Sequence, residues 1–273
     1  MGNFKYTYNI EEFDKFYQSR LAPELQALAK KKMLPWKSKA TAQEAFNITC
    51  SLLGRFSPYE GKSSENTYNF LKDLRLFPDF LHVKYNGCFS GHSAGKAFDA
   101  KSMELYKNDG KKDVLVWRGV LVSTQYHNRT FGRVLFRKHG LNVDNPDTIK
   151  LIFNKKNYED IIDKTILRKS ETYCDVVNAN YHITFTNPQD QCNFSDEMLC
   201  KKICTVIKKY SCNVSFSVLN NNLFLAISAA DTESTYTENG WFDFKNNFSD
   251  EDFMKDLFQQ FETVVMTLKL LNS

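Results

Sequence analysis

The sequence has 273 residues and a mass of 31.7 kDa, with 42% hydrophobic and 25% charged side chains. This balance is typical of globular proteins, excludes a disordered or fibrous chain, and fits one large domain or two smaller ones. Lys and Arg number 36 against 32 Asp and Glu, and the formal charge of +4 is too small to favour nucleic-acid binding.

Residues 1–76 predict an N-terminal helical region. Asn9 and Glu12 can cap a helix, and apolar residues then recur every three or four positions up to Leu28. Pro23 lies inside this segment, so the pattern predicts either a kink or two short helices. Further helices are expected over 39–56 and 66–74.

Residues 77–141 change to a period of two, which predicts an antiparallel β section. Between two of its apolar runs, Asp109 and Gly110 form a hairpin signal because both tolerate positive φ. The remaining residues, 142–273, predict strands over 149–153 and 175–185, a helix that begins at Ser195, a hairpin over 214–227, and a final helix to about residue 270.

These patterns predict an α+β fold with N-terminal helices, antiparallel sheet sections and a long C-terminal amphipathic helix. The three regions, 1–76, 77–141 and 142–273, are expected to pack as one compact unit. The N-terminus lacks the basic and apolar run of a signal peptide, and no stretch of about 18 apolar residues occurs. Seven cysteines without a disulfide-scaffold pattern add to the expectation of a cytoplasmic, reducing location.

The cysteines and histidines offer two chemical alternatives. Four cysteines occur near one another in the sequence: Cys192, Cys200, Cys204 and Cys212. Only one of the gaps between them is as short as zinc ligands usually require, which disfavours a zinc site. Neither a metal nor another cofactor is therefore expected. His82 and His92 flank Cys88 in a glycine-rich run, where a Cys–His nucleophile is conceivable. No motif of a known cysteine hydrolase accompanies it, so a buried or turn-lining cysteine is the simpler interpretation.

A basic cluster with one tryptophan follows the first helix. Such a combination can contact an anionic membrane surface, although charge runs on helices are more often solvated. The residues of this hypothesis are Lys30, Lys31, Lys32, Trp36, Lys37 and Lys39.

Several short motifs occur in a fixed order along nearly the whole chain. They are Phe13-x2-Phe-Tyr17-x3-Leu21-Ala-Pro-Glu-Leu25, Asn86-Gly-Cys-Phe-Ser-Gly91-x3-Gly95-x2-Phe98, Trp117-Arg-Gly-Val-Leu121, Phe131-Gly132-Arg133-Val134, Val214-Ser-Phe-Ser-Val218 and Leu223-Phe-Leu-Ala-Ile227. In this order the motifs resemble the bacterial "domain of unknown function 3137" family. The resemblance implies no catalytic residue. The chain departs from the family in lacking the hydrophobic segment after the first helix and in the stretch Gln125-Tyr-His-Asn128.

Taken together, the sequence predicts a non-enzymatic binding or scaffold module in the cytoplasm, with a further expectation of peripheral contact at the inner membrane face. The expected partner is a protein or an anionic membrane surface, and not a nucleic acid. The alternative is an enzyme that uses Cys88 and His92. The residues predicted to form a ligand loop are Gly91, His92, Gly95 and Arg133.

Overall fold

The computed structural model describes residues 13–32, 48, 57–58, 65–93, 95–138, 181–185, 187–190, 202–206, 212–229 and 251–271. Of the helix predicted over 39–56, only Ile48 is described, and it is helical. The strand predicted over 149–153 and the helix start at Ser195 lie outside the described residues.

The N-terminal helical segment is interrupted where Pro23 predicts an interruption. Helix α1 (Phe13–Phe16) leads into a π-helical turn (Tyr17–Leu21), which is followed by α2 (Ala22–Lys32). Pro23 is the second residue of α2 and cannot donate to a carbonyl of the preceding turn, and the π-helical turn lies directly before α2. Two short α-helices joined by a π turn are therefore the outcome of this proline.

Eight described strands form one sheet in which every pairing is antiparallel. The order across the sheet is β1-β2-β3-β4-β8-β7-β5-β6, so strands from 77–141 and from 142–273 share it. With the helices α3 (Glu65–Leu74) and α4 (Glu251–Leu271), this arrangement confirms a mixed α+β fold. The strands are β1 (Ser57–Pro58), β2 (His82–Ser93), β3 (Lys96–Asn108), β4 (Asp113–Gln125), β5 (Val134–Lys138), β6 (Tyr181–Phe185), β7 (Cys212–Leu219) and β8 (Asn222–Ala229).

The two faces of the sheet carry separate hydrophobic clusters, because alternate strand residues point to opposite faces. The first face packs against α2, the helical residues 202–206 and α4; its buried aromatic residues include Phe89, Phe136 and Phe216. The second face packs against α3 and the segment after it, through Leu71, Leu74 and the neighbouring cluster members. The sheet is therefore covered by helices on both sides.

Helix α4 is the main cover of the first face. Phe258 and Phe261 are fully buried, and the ring centroid of Phe261 lies 5.0 Å from that of Phe89 in an edge-to-face arrangement. The Ser93 hydroxyl on β2 donates to the backbone carbonyl of Val265 at 3.3 Å. These contacts fix the helix against β2.

The predicted hairpin at Asp109 and Gly110 is confirmed. Gly110 has a φ of 92°, and one carboxylate oxygen of Asp109 accepts hydrogen bonds from the backbone amides of Lys111 and Lys112, each at 2.9 Å. The same meander contains two register shifts, one after Tyr85 in the β2–β3 pairing and one after Leu105 in the β3–β4 pairing. Such irregularities strengthen the local twist of the strands.

Candidate functional site

The basic cluster is only partly described by the structure. Lys30, Lys31 and Lys32 form the end of α2, and Trp36, Lys37 and Lys39 lie outside the described residues. The apolar face of the segment that precedes this lysine run is buried in the core through Tyr17, Leu21 and Leu25. This face is therefore not available for insertion into lipid.

Cys88 and His92 do not form a nucleophile–base pair. Both lie on β2, four residues apart and on the same face, so their Cα atoms are roughly 13 Å apart along an extended strand. A thiol and its base must come within about 3 Å of each other. Moreover, Cys88 is buried, while His92 is exposed. His82 lies on the opposite face of the sheet, so it cannot replace His92 in this role.

Within the described part of the chain, no three metal-ligating side chains lie close enough together to hold a metal ion. Cys204 is disulfide-bonded and Cys212 is a buried free thiol, whereas Cys192 and Cys200 are outside the described residues. Spacing along the chain could not reveal this bond, because disulfide pairing depends on distances in space. Across the described ranges, no helix is long and apolar enough to cross a membrane.

The residues predicted as a ligand loop are distributed over two places. Gly91 is buried in β2, His92 is exposed on the same strand, and Gly95 is exposed in the β2–β3 turn with a φ of 78°. Arg133 precedes β5, which is separated from β2 by four strands. Its guanidinium donates to Asp73 on α3, at 2.7 Å to the backbone carbonyl and 3.0 Å to the carboxylate. Arg133 therefore serves a contact between the sheet and α3.

Three connections nevertheless meet at one end of the sheet, which we call the turn end. They are the β2–β3 turn around Gly95, the β4–β5 loop (126–133), and the β7–β8 turn at Asn220 and Asn221. Both asparagines have positive φ, 51° and 59°, which asparagine tolerates better than most residues. The turn end thus brings together parts of the chain that are distant in sequence.

The β4–β5 loop is held in place by two side chains from other elements. The two carboxylate oxygens of the fully buried Asp190 accept hydrogen bonds from the backbone amides of Phe131 and Gly132, at 2.9 and 2.8 Å. The side-chain oxygen of Asn221 accepts from the backbone amide of Thr130 at 2.9 Å. These bonds order the loop before any partner binds.

The same loop presents an aromatic and a cationic side chain to solvent. Phe131 is 53% exposed, and the guanidinium carbon of Arg129 lies 5.4 Å from the centroid of its ring. Exposed aromatic and arginine residues on an ordered backbone are characteristic of residues that dominate binding energy at interfaces. The loop can therefore act as a binding surface.

A lysine side chain contacts the beginning of this loop. The Lys96 ammonium donates to the backbone carbonyl of Gln125 at 3.2 Å. Partial burial lowers the pKa of His127 below its ordinary value, and the charges of Lys96 and Lys202 lower it further. His127 is therefore mostly neutral near pH 7.

A second polar cluster lies toward the opposite end of β2, β3 and β4. Glu104 is 3% exposed, and its carboxylate accepts hydrogen bonds from Tyr106 at 2.6 Å and Lys84 at 3.0 Å and forms an ion pair with Arg118 at 3.0 Å. Burial raises the pKa of Glu104, but the hydrogen bonds from Tyr106 and Lys84 and the charge of Arg118 together lower it below its usual value. The carboxylate stays ionised and joins three strands, which is a structural role.

No family model matches the chain, and comparisons with curated proteins and with solved structures likewise found no match. The resemblance to the bacterial "domain of unknown function 3137" family therefore stays a prediction.

The sequence analysis did not single out the residues that define the turn end as a site. Lys96 belongs to a different segment from Arg129 and Phe131, and none of the three lies in a recognisable binding motif. Two signals are available in the sequence. The stretch from Gln125 to Asn128 departs from the family that the chain resembles, and Phe131 belongs to the motif Phe131-Gly132-Arg133-Val134.

Proposed function

We propose that this chain is a non-enzymatic binding or scaffold module that engages its partner with the turn end of the sheet. The observation that carries the proposal is the β4–β5 loop, which Asp190 and Asn221 order while Phe131 remains half exposed beside Arg129. A loop ordered in advance loses little conformational entropy on binding, so its exposed aromatic group can contribute most of its contact energy to affinity.

The enzymatic alternative has less support. The separation of Cys88 and His92 along β2 is too large for the nucleophile–base contact that the alternative requires. We therefore expect Cys88→Ala to leave the cellular role of the protein intact.

The test compares the size of the protein in a native lysate with its size after purification, using size-exclusion chromatography and immunodetection. A binding module should elute from the lysate above the 31.7 kDa of the chain, and Phe131→Ser should shift it toward the size of the purified protein. Leu81→Ser is the matched control, because Leu81 is an equally exposed apolar residue at 52% that lies at the other end of β2. Equal elution of both variants and the wild type would contradict the proposal.

A second proposal concerns the inner membrane face. Three consecutive lysines form the C-terminal end of α2, and the apolar face of this helix is already buried. The charged part of the predicted membrane contact, Lys30, Lys31, Lys32, Lys37 and Lys39 beside Trp36, should be weakened by salt. Co-sedimentation with phosphatidylserine vesicles at low and high salt tests this proposal. A variant with Lys30, Lys31 and Lys32 changed to Gln is the comparison. Binding that survives high salt, or that the triple variant retains, would contradict it.

A further inference from the structure

Polar side chains are buried on the second face of the sheet, where β5 pairs with β7. Ser217 lies opposite Leu135 in this pairing, and Leu135 belongs to the hydrophobic cluster of the second face. Arg137 follows Leu135 by two residues on β5, so it points to the same face and lies diagonally across from Ser217. Only 5% of Arg137 is exposed, and Ser217 is fully buried. A buried serine and a buried arginine are therefore neighbours beneath the helical cover.

The C-terminal end of α3 brings a second arginine to this part of the face. Arg133, two residues before Leu135, donates to the backbone carbonyl and the carboxylate of Asp73 at 2.7 and 3.0 Å. Arg75 directly follows α3, and the residues on either side of it are buried in the same cluster as Leu135. Its φ of 58° is a left-handed conformation in which glycine is the usual residue after a helix. An arginine is therefore placed here at the cost of backbone strain.

Three buried polar atoms of these side chains form no hydrogen bond with the described residues. They are the Ser217 hydroxyl oxygen, Nη1 of Arg137 and Nη2 of Arg75. Both arginines have other interactions, so the serine is the decisive group. A buried hydroxyl without a hydrogen bond lowers stability, and an alanine would avoid this cost. Such groups in native proteins are typically satisfied by an ordered water, an ion or a ligand.

The donors and charges of this group suit an anion better than a water molecule. A guanidinium presents its N–H donors in a planar fork that matches the oxygens of an oxyanion, and a serine hydroxyl can add a third donor. Burial and the charge of Arg133 lower the pKa of Arg75, Asp73 raises it, and Arg137 lowers it again. Arg75 is thus surrounded by positive charge in a desolvated place, and a bound anion offsets both effects.

We propose that Arg75, Arg137 and Ser217 form a binding site for a small tetrahedral oxyanion, such as phosphate or sulfate, between α3 and the second face of the sheet. The site takes a free ion and not a lipid headgroup, because Arg137 and Ser217 are buried. Arg133 is a positioning residue that holds α3 against β5. Phe131 contributes nothing to this site, which therefore goes beyond the proposed function.

The test is calorimetric titration of the full-length protein with sulfate, with chloride keeping the ionic strength constant. We expect saturable binding to a single site. Arg75→Gln, Arg137→Gln and Ser217→Ala should each weaken this binding about ten-fold, because each removes a hydrogen bond to a charged group. Two matched controls should bind sulfate as the wild type does. Ser102→Ala changes an equally buried serine on the first face of the sheet, and Arg20→Gln changes an exposed arginine.

Ser217→Ala keeps the test decisive even where Arg137→Gln does not fold. Alanine removes only the hydroxyl, so the thermal midpoint of this variant without sulfate should not fall. A native-like amide spectrum shows that each variant is folded. Absence of saturable binding, which an ordered water at Ser217 would produce, overturns the inference. Unchanged affinity in Ser217→Ala, or equal losses in the control variants, does so as well.

Competition experiments identify the source of the anion. Inorganic phosphate should displace sulfate, and phosphatidic acid vesicles should not, because a headgroup in a bilayer cannot reach buried side chains. Displacement by the vesicles alone would overturn the assignment to a free ion.

Discussion

Replacement of Glu104 by Gln tests how much the buried carboxylate stabilises the sheet. The amide has the same shape but no charge, so the contacts with Tyr106, Arg118 and Lys84 lose their charge-assisted character. The contacts with Tyr106 and the largely buried Arg118 should each lose about 1 kcal/mol, and that with Lys84, whose side chain is 55% exposed, only a few tenths of a kcal/mol. Glu104→Gln should therefore lower the free energy of unfolding by about 2 kcal/mol.

The assay is urea unfolding at pH 7, with Lys84→Met as the control, for which we expect a loss below about 1 kcal/mol. The lowered pKa of Glu104 also predicts how its stabilisation of the fold depends on pH. Because the pKa of Glu104 is lower in the folded state than its usual 4.5, its stabilisation is complete above that pH and is lost as the pH falls through the folded value. The difference in stability between wild type and Glu104→Gln should therefore shrink as the pH falls below 4.5. An unchanged urea midpoint at pH 7, or a difference that widens in acid, would refute this reasoning.

Three further predictions concern single residues. Gly119→Ala should lower the free energy of unfolding in urea by about 3 kcal/mol, because a Cβ at this position would overlap the backbone carbonyl of Ile227. A loss below about 1 kcal/mol would contradict this geometry. Asp190→Ala should lower the free energy of unfolding by about 2 kcal/mol, because the part-buried amides of Phe131 and Gly132 lose their acceptor. Hydrogen exchange at the amide of Phe131 should become faster, and unchanged exchange would contradict the contact. Burial raises the pKa of Cys212 to about 12, so its thiol should react with Ellman's reagent at pH 8 only after unfolding, and rapid reaction in the native protein would be inconsistent with this burial.

The sheet was predictable from the sequence where hydrogen-bond partners are close along the chain. The alternation of side chains and the Asp109–Gly110 turn predicted the β2–β4 meander, and the segment around Asn221 predicted the β7–β8 hairpin. The order across the sheet was not predictable, because alternation defines which residues face the core but not which strands become neighbours. The pairing of β4 with β8, on which the position of the turn end depends, was therefore found only in the structure.

The site was less predictable than the fold for a related reason. Lys96 and Phe131 lie in separate segments of the sequence, and no sequence motif links them. Arg133 follows Gly132 and was predicted to belong to the ligand loop, but its guanidinium donates to the carboxylate of Asp73. Conversely, the position of Phe131 depends on a hydrogen bond from its backbone amide to Asp190, which is distant in sequence. A local sequence pattern cannot predict such a bond.

The pairing of β4 with β8 also has a consequence for the order of folding. Val120 and Ile227 face each other across this pairing although roughly 100 residues separate them, whereas β2, β3 and β4 are joined by short turns. Closing such a long loop is entropically costly and comes late in folding. We expect the β2–β4 meander and the β7–β8 hairpin to acquire protection from hydrogen exchange early in refolding. The pairing of β4 with β8 should form last and should be the rate-limiting step of folding to the native topology.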